Sequence, residues 1–201
     1  MVVFDARSAK TQIPHTVATY KLLRQYLAPT DSILDYSAGL GIGADELRTK
    51  SPNVKTYEPF PINWKSTRKL NYSNYLEIPD ESADIVTNIF ALNVVTPDVR
   101  KFIVRDIARI VKPMGRALFV VRDKINAKTK IPAGIEENAF FVLNRGAVVY
   151  QKQFTIKELK QYLKENLEGW RITSKQRVVE CVKENGYSTA SVQPKNTLAP
   201  Y

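Results

Sequence analysis

The sequence has 201 residues, 44% of them hydrophobic, which suits one globular domain with a sizeable core. One cysteine excludes an internal disulfide framework, and no apolar run approaches the roughly 20 residues of a membrane span. Thirty Lys and Arg residues against 20 Asp and Glu residues give a net charge of +10, which favours encounters with polyanions without identifying one.

The chain starts without the basic and then apolar layout of a signal peptide, so we expect a cytoplasmic protein with no membrane association. The first predicted element is a helix over residues 16–27, where apolar residues recur at helical spacing and Pro29 ends the pattern. His15, the only histidine, precedes this helix. We keep His15 as a candidate catalytic base beside the alternative of a structural role in the first turn.

The most informative segment, residues 33–44, predicts a strand, a glycine loop and the start of a helix. This arrangement presents backbone to a nucleotide-like ligand. Asp35 stands where the strand ends, and a carboxylate there repels a pyrophosphate but suits the ammonium group of S-adenosylmethionine, directly or through water. The loop glycines permit a tight turn and close approach of ligand atoms; they are Gly39, Gly41 and Gly43.

A second strand is predicted over residues 54–57 and ends at Glu58, about 20 residues after the loop. An acid at this place can accept hydrogen bonds from both hydroxyls of a ribose, and Phe60 just beyond it can pack on an adenine ring. The alternative is that Glu58 is a surface acid before a Pro-x-Pro turn. A shorter helix is predicted to follow over residues 62–70.

The middle of the chain predicts a strand, a helix and a further strand in close succession. An apolar run over residues 83–95 predicts the first of these strands, with polar residues where it ends. A helix follows over residues 97–110, and residues 117–121 predict the strand that leads to Asp123. Asp123 is therefore a second candidate for pocket chemistry.

Residues 122–138 are polar and mixed, which indicates a loop or lid. Two apolar runs within residues 140–150 flank an Asn-Arg-Gly turn and predict a hairpin, with Tyr150 in its second strand as a third candidate for the pocket. The next helix is predicted over residues 155–167, because Thr at its start and Glu three residues later form a capping-box pattern.

The last two predicted strands, over residues 170–174 and 177–182, are joined by a very short turn and must be antiparallel to each other. Cys181 lies in the second of them and is expected to be a small core residue. We expect one domain over residues 1–185 and a loosely ordered tail over residues 186–201. Alternation of strands and helices with short links predicts an α/β fold with helices on both faces of a mostly parallel sheet.

Several segments now add a resemblance to a known family. Residues 35–41 read Asp-x-Ser-x-Gly-x-Gly, which resembles the first motif of class I S-adenosylmethionine-dependent methyltransferases, with Ser37 where a small residue, often Gly, is usual. Residues 76–84 and 105–118 are similar to segments of the ubiquinone- and menaquinone-biosynthesis methyltransferases, the methyltransferase type 11 group. The similarity extends over roughly residues 30–122, and the overall order of segments also resembles methyltransferase domains of bacteriophages and mobile elements.

The resemblance implies a doubly wound, mostly parallel seven-stranded sheet with an antiparallel C-terminal strand pair, and S-adenosyl-L-methionine as the cofactor. The roles it implies are the methionine end for Asp35, Gly39 and Gly41, the ribose for Glu58, and the wall beside the sulfonium for Asn88 and Phe90. The family usually has an Asp that recognises the adenine amino group. This chain has none at that place, so Asn74 or Ser73 is expected to substitute for it.

These observations predict methyl transfer by in-line displacement to an acceptor that stays open, either a small molecule or a nucleic acid. Two alternatives also stay open. The fold could be a non-catalytic binding module with a basic partner surface, or residues 39–44, which fit G-x-G-x-x-A, could bind NAD in an oxidoreductase. No His and Cys cluster has metal-ligand spacing, so no metal site is expected. The oligomeric state does not follow from the sequence.

Overall fold

The computed structural model of the chain describes residues 15–61, 64–144 and 147–184. Four helices and nine strands lie in these segments. The helices are α1 (His15–Leu23), α2 (Ile42–Arg48), α3 (Pro97–Ile110) and α4 (Ile156–Asn166). The strands are β1 (Ile33–Tyr36), β2 (Val54–Tyr57), β3 (Ala83–Ile89), β4 (Val111–Val120), β5 (Lys130–Pro132), β6 (Ala139–Asn144), β7 (Ala147–Lys152), β8 (Trp170–Lys175) and β9 (Val178–Lys183).

The main sheet has the strand order β2-β1-β3-β4-β9-β8. The first four strands are parallel to one another, and β9 is antiparallel to both β4 and β8. The sequence predictions of a mostly parallel sheet and an antiparallel C-terminal strand pair are therefore confirmed. This arrangement is the doubly wound α/β fold.

Successive residues of β1 point to opposite faces of the sheet, and both faces are covered. Ile33 belongs to a core cluster with residues of α1 and α2, whereas Leu34 belongs to a cluster with residues of α3 and α4. A strand buried on both faces favours apolar residues at most positions, which explains the long apolar runs of this sequence. Cys181 is fully buried in the second cluster, as predicted.

The main sheet has six strands in the part of the chain that the structure describes, so the prediction of seven was wrong by one edge strand. The segment after β2 meets it only through the isolated bridge between Tyr57 and Tyr72. One reason is that the side-chain oxygen of Asn71 accepts a hydrogen bond from Thr56 N at 2.9 Å, where a neighbouring strand would offer a carbonyl. A ladder cannot extend where a side chain replaces the partner backbone.

The helix predicted over residues 62–70 is not formed at residues 64–70, and residues 62 and 63 lie outside the description. Lys65 N and Ser66 N both donate to Leu40 O, at 2.9 and 3.0 Å. These two bonds attach the segment to the glycine loop. Tertiary contacts therefore override the local helical pattern.

A second sheet, with strand order β5-β6-β7, is inserted between β4 and α4. The hairpin of β6 and β7 was predicted, although residues 145 and 146 of its turn are not described. The segment before this hairpin, residues 122–138, was predicted to be a loop or lid, and that prediction did not include β5. Pro132 in β5 pairs with Phe140 at the edge of this sheet, a place where a missing N–H is tolerated.

Helix α3 has the predicted bounds, and α4 begins with the predicted capping box, in which Thr155 and Glu158 exchange hydrogen bonds. The expected tail over residues 186–201 lies outside the described residues. Of the helices in the described segments, none has the length and apolar character that a membrane crossing requires.

Candidate functional site

A cavity of about 470 Å³ opens where β1 and β2 end. Three of the residues predicted to bind a cofactor line it, namely Ser37, Phe60 and Asn74, and Ser73 lies beside them. Its other walls are largely aromatic and apolar: Tyr36, Tyr57, Pro59, Tyr75, Leu76, Phe102 and Ile103. The carboxyl ends of parallel strands are where ligands bind in open α/β sheets.

The glycine loop has an unusual backbone conformation that begins at a serine. Ser37 has a φ of 64°, and Gly39 and Gly41 have φ values of 61° and 77°. A positive φ disfavours any side chain with a Cβ, so Ser37 holds a conformation that glycine adopts more easily. A Cβ on Gly41 would also meet the ring of Trp64 at 2.5 Å, so the loop and the segment after β2 are packed directly together.

Glu58 follows β2 and fixes the glycine loop. One of its carboxylate oxygens accepts a hydrogen bond from Gly39 N at 2.7 Å, and the other accepts one from Phe60 N at 3.0 Å. Its side chain is mostly buried. The alternative of a surface acid therefore does not fit, because Glu58 joins the loop, the end of β2 and the cavity wall at Phe60.

Asp35 is fully buried and faces α1 rather than the cavity. Its carboxylate accepts hydrogen bonds from Tyr20 Oη, at 3.0 and 3.1 Å to its two oxygens, and from Thr87 Oγ1 at 2.7 Å. Burial raises the pKa of Asp35 to about 6, against the opposite influence of the two hydroxyl donors. Asp35 thus lies beneath the glycine loop, and in this structure its oxygens are covered by Tyr20 and Thr87.

Tyr20 is a site residue that the sequence analysis treated only as part of an apolar helix face. Its ring lies 2.1 Å from the position of a Cβ on Gly43, so only glycine fits there. The sequence signal that could have identified Tyr20 is its combination with Gly43. A tyrosine on the inner face of α1 needs a partner for its hydroxyl, and a glycine inside α2 leaves room for its ring.

Asn88 and Phe90 lie at the end of β3. Asn88 is buried and donates to Tyr36 O at 3.3 Å, but its Oδ1 has no hydrogen-bond donor among the described residues. A buried polar atom without a partner is uncommon and marks a place where a ligand or water can donate. Phe90 has a φ of 62°, a conformation that a bulky residue adopts only under constraint from its surroundings.

The three candidates for catalysis have different surroundings. His15 begins α1, and its side chain is outside the description. Tyr150 is buried and donates to Glu136, and both effects raise its pKa, which is the opposite of what a general base needs. Asp123 is exposed three residues after the end of β4, where a substrate can reach it from solvent.

Arg100, which the sequence analysis did not single out, holds the insertion against the main domain. Its guanidinium is 1% exposed and donates to both oxygens of Glu136, at 2.8 and 3.0 Å. It also donates to the carbonyl oxygens of Leu92 and Val95, at 2.9 and 3.0 Å. The first turn of α3 and the segment after β5 are therefore joined by an ion pair of the buried Arg100 with the partly exposed Glu136. In the described segments no group of three or more His, Cys, Asp or Glu residues is arranged to hold a metal ion.

Comparisons with known proteins agree with this geometry. The profile of the family described as "Methyltransferase domain" matches residues 9–175. A comparison with curated protein sequences gives no significant match.

Solved structures with a similar fold include the 1,6-didemethyltoxoflavin-N1-methyltransferase of Burkholderia thailandensis, bound to 1,6-didemethyltoxoflavin and S-adenosylhomocysteine. It is 17% identical over 90% of this chain and 83% of that chain, with a TM-score of 0.63. The PH0226 protein of Pyrococcus horikoshii OT3 is 14% identical over 90% of this chain and 96% of that chain, with a TM-score of 0.65. A SAM-dependent methyltransferase of Methanosarcina mazei is 19% identical over 80% and 94% of the two chains, with a TM-score of 0.58. At these identities the likeness concerns the fold.

Proposed function

The chain belongs to the methyltransferase domain family, and we propose that it binds S-adenosyl-L-methionine at the carboxyl ends of β1, β2 and β3 and transfers the methyl group to a separate acceptor. The observation that carries this proposal is the cavity that joins Ser37, Phe60 and Asn74. Its volume of about 470 Å³ and its aromatic walls with few polar groups suit a small ligand with a flat ring. When bound, the cofactor supplies a sulfonium methyl group that a nucleophilic atom of the acceptor displaces, with release of S-adenosylhomocysteine.

The nucleoside half is assigned to the cavity. Phe60 and Tyr57 line the cavity and are aromatic residues against which a heterocycle can pack. Asn74 Oδ1 accepts a hydrogen bond from Leu76 N at 3.1 Å, which fixes the orientation of the amide. An amide side chain carries both donors and an acceptor, so Asn74 can complement the edge of an adenine without the Asp that the family usually has.

Glu58 is assigned to the ribose. Its bonds to Gly39 N and Phe60 N hold the carboxylate between the loop and the cavity wall, so the group is positioned before a ligand arrives. An ionised carboxylate forms stronger hydrogen bonds with hydroxyl donors than a neutral acceptor does. A preorganised carboxylate also avoids the entropy cost of being fixed on binding.

Asp35 is assigned an indirect role. Because Tyr20 and Thr87 cover its oxygens, we infer that it does not contact the methionine end directly. Its negative charge lies beneath the glycine loop in a region of low dielectric, where it attracts a cation over several ångströms. Asp35 also orients the Tyr20 hydroxyl and is in this sense a positioning residue.

The cofactor assignment is tested by isothermal titration calorimetry of the full chain with S-adenosylhomocysteine and with NAD. We expect binding of the former and none of the latter. Glu58→Ala should weaken S-adenosylhomocysteine binding by about 1 to 3 kcal/mol, as for a lost charge-assisted hydrogen bond. Glu168→Gln, an exposed acid before β8, is the matched control and should leave the affinity unchanged. Unaltered affinity in Glu58→Ala would contradict the assignment.

Catalysis is tested by release of S-adenosylhomocysteine in the presence of RNA, DNA and pools of small metabolites. Asp123 is the candidate general base for a hydroxyl or amine acceptor, so Asp123→Asn should lower turnover by about 10²-fold or more without changing cofactor affinity. If the chain binds the cofactor but releases no S-adenosylhomocysteine with any of these pools, the alternative of a non-catalytic binding module is favoured.

A further inference from the structure

Arg122 has an environment unlike that of the other arginines. It follows β4, and the central carbon of its guanidinium lies 4.7 Å from the centre of the Phe90 ring. Residues 15–61, 64–144 and 147–184 provide no hydrogen bond or carboxylate for this guanidinium. The other arginines of these segments that are buried or half-buried each have a carboxylate within 4.0 Å; they are Arg24, Arg48, Arg100, Arg109 and Arg116.

The absence of a carboxylate matters because this guanidinium is partly removed from water. Burial lowers the pKa of Arg122, and no neighbouring acid opposes this effect. A guanidinium carries five N–H donors in a planar fork, and removing them from water without partners costs free energy. An anion with two oxygens in one plane would compensate that cost through two parallel hydrogen bonds.

The main chain of Arg122 is firmly held, so its position is built into the fold. Arg122 N donates to Asn93 Oδ1 at 2.8 Å, and Asn93 Nδ2 donates back to Arg122 O at 3.0 Å. Phe154 N donates to the same carbonyl oxygen at 3.1 Å. Asn93 is buried, and these bonds join the segments that follow β3, β4 and β7.

The location of Arg122 relates it to methyl transfer. Phe90 directly follows β3, and its N–H donates to Val120 O at 2.8 Å. Phe90 therefore lies at the same carboxyl end of the sheet as the proposed cofactor site, where the resemblance to methyltransferases implies a place beside the sulfonium. Phe90 keeps its left-handed backbone conformation, with one face of its ring against the Arg122 guanidinium. A strained residue in contact with an unpaired cation at a sheet edge is typical of a binding site.

We propose that Arg122 binds a carboxylate or phosphate group of a small-molecule methyl acceptor and thereby selects anionic acceptors. This inference rests on the proposed function. A small molecule is favoured over a nucleic acid because the feature is a single, partly buried guanidinium over one aromatic ring. Nucleic acids are bound through several exposed cations along a surface.

The test uses the full chain saturated with S-adenosylhomocysteine, titrated with benzoate, inorganic phosphate and the neutral control benzamide. Arginine side-chain Nε–Hε signals are followed by ¹⁵N NMR, and the Arg122 signal is identified by its absence in Arg122→Gln. We expect a saturable shift of this signal with benzoate or phosphate and none with benzamide. The anion that binds more tightly identifies the acceptor group as a carboxylate or a phosphate.

The variants separate specific binding from general attraction by a basic protein. Arg122→Gln should weaken anion binding by at least about tenfold, and Arg122→Lys, which keeps the charge but not the fork, by a smaller factor. Arg105→Gln changes the net charge equally at an exposed position of α3 and should leave anion binding within about twofold, as for a distant charge screened by salt. Thermal melts confirm that each variant is folded.

Three results would overturn the inference. The first is equal anion binding by wild type and Arg122→Gln, and the second is no saturable binding of either anion to the S-adenosylhomocysteine complex. The third is an RNA oligonucleotide whose binding depends on Arg122 while both small anions have no effect. Failure of wild type to bind S-adenosylhomocysteine would instead overturn the proposed function on which the inference rests.

Discussion

Asp35 on β1 and Asp84 on β3 lie on neighbouring strands, three residues apart along the sheet, which is about 10 Å. Asp84, towards the amino ends of the strands, is half-exposed and bonded to Ser32 and Lys112. Burial acts against ionisation there, but these donors outweigh it and lower the pKa of Asp84 to about 2. Asp35, towards the carboxyl ends, is buried between two neutral hydroxyls, and its pKa is raised to about 6.

The difference separates the end of the sheet where charge stabilises the fold from the end that holds the proposed binding site. At the amino ends, Asp84 is ionised with a cation beside it, so its charge stabilises the fold. At the carboxyl ends, three features cost stability: the buried carboxylate of Asp35, the unpartnered Oδ1 of Asn88 and the positive φ of Phe90. Such costs persist where a ligand later compensates them.

The largest effect is expected from removing the buried Arg100, which is paired with Glu136 at the carboxyl ends. Arg100→Ala removes the partner of Glu136 and leaves the carbonyl oxygens of Leu92 and Val95 without their donors. The free energy of unfolding should fall by about 3 to 5 kcal/mol, measured by urea denaturation. Arg105→Ala on the same helix is exposed and should change it by about 0.5 kcal/mol at most. Similar values for the two variants would show that the Arg100 pair does not hold the insertion.

The next effect is the pH dependence of the stability contribution of Asp35, which runs opposite to that of Asp84. Because folding raises the pKa of Asp35 to about 6, the folded chain holds this proton more tightly than the unfolded chain. The stability contribution of Asp35 is therefore complete below about pH 4 and is lost as pH rises to about 6, by up to about 3 kcal/mol. Urea denaturation of wild type and of Asp35→Asn from about pH 4 to about pH 6 measures this loss of stability, because the variant has no carboxyl group to titrate at this position. A difference between the two proteins that is constant with pH would contradict the raised pKa.

The smallest effect concerns the amino ends. The pKa of Asp84 is lowered, so its contribution is present above about pH 4 and is lost as pH falls towards 2, the opposite direction to that of Asp35. Asp84→Asn should cost only about 1 kcal/mol at pH 7, because the pair is half-exposed and screened by solvent. Its affinity for S-adenosylhomocysteine should equal that of wild type in calorimetry. Weaker S-adenosylhomocysteine binding by Asp84→Asn would show that the amino ends of the strands also contribute to cofactor binding.

Much of the fold could be predicted from the sequence because it depends on local signals. The bounds of α3 follow from its apolar spacing and its Pro at the start, and the capping box of α4 follows from Thr155 and Glu158. The strands around the glycine loop are mainly apolar, as expected of strands covered on both faces, and the buried Asp35 is an exception. The glycine loop and Glu58 were likewise found by their spacing, and the structure brings them into contact at 2.7 Å.

What only the tertiary structure decided involves residues that are distant in sequence. Three contacts depend on how α1, α3 and the insertion pack on the sheet. Tyr20 covers Asp35, Arg100 pairs with Glu136, and Arg122 lies over the Phe90 ring with no carboxylate from the described residues beside it. The missing edge strand has the same origin, because the Asn71 side chain takes the place of a backbone partner. Local patterns specify which element a segment forms. The charge state and exposure of a side chain depend on its neighbours in space, which no local pattern contains.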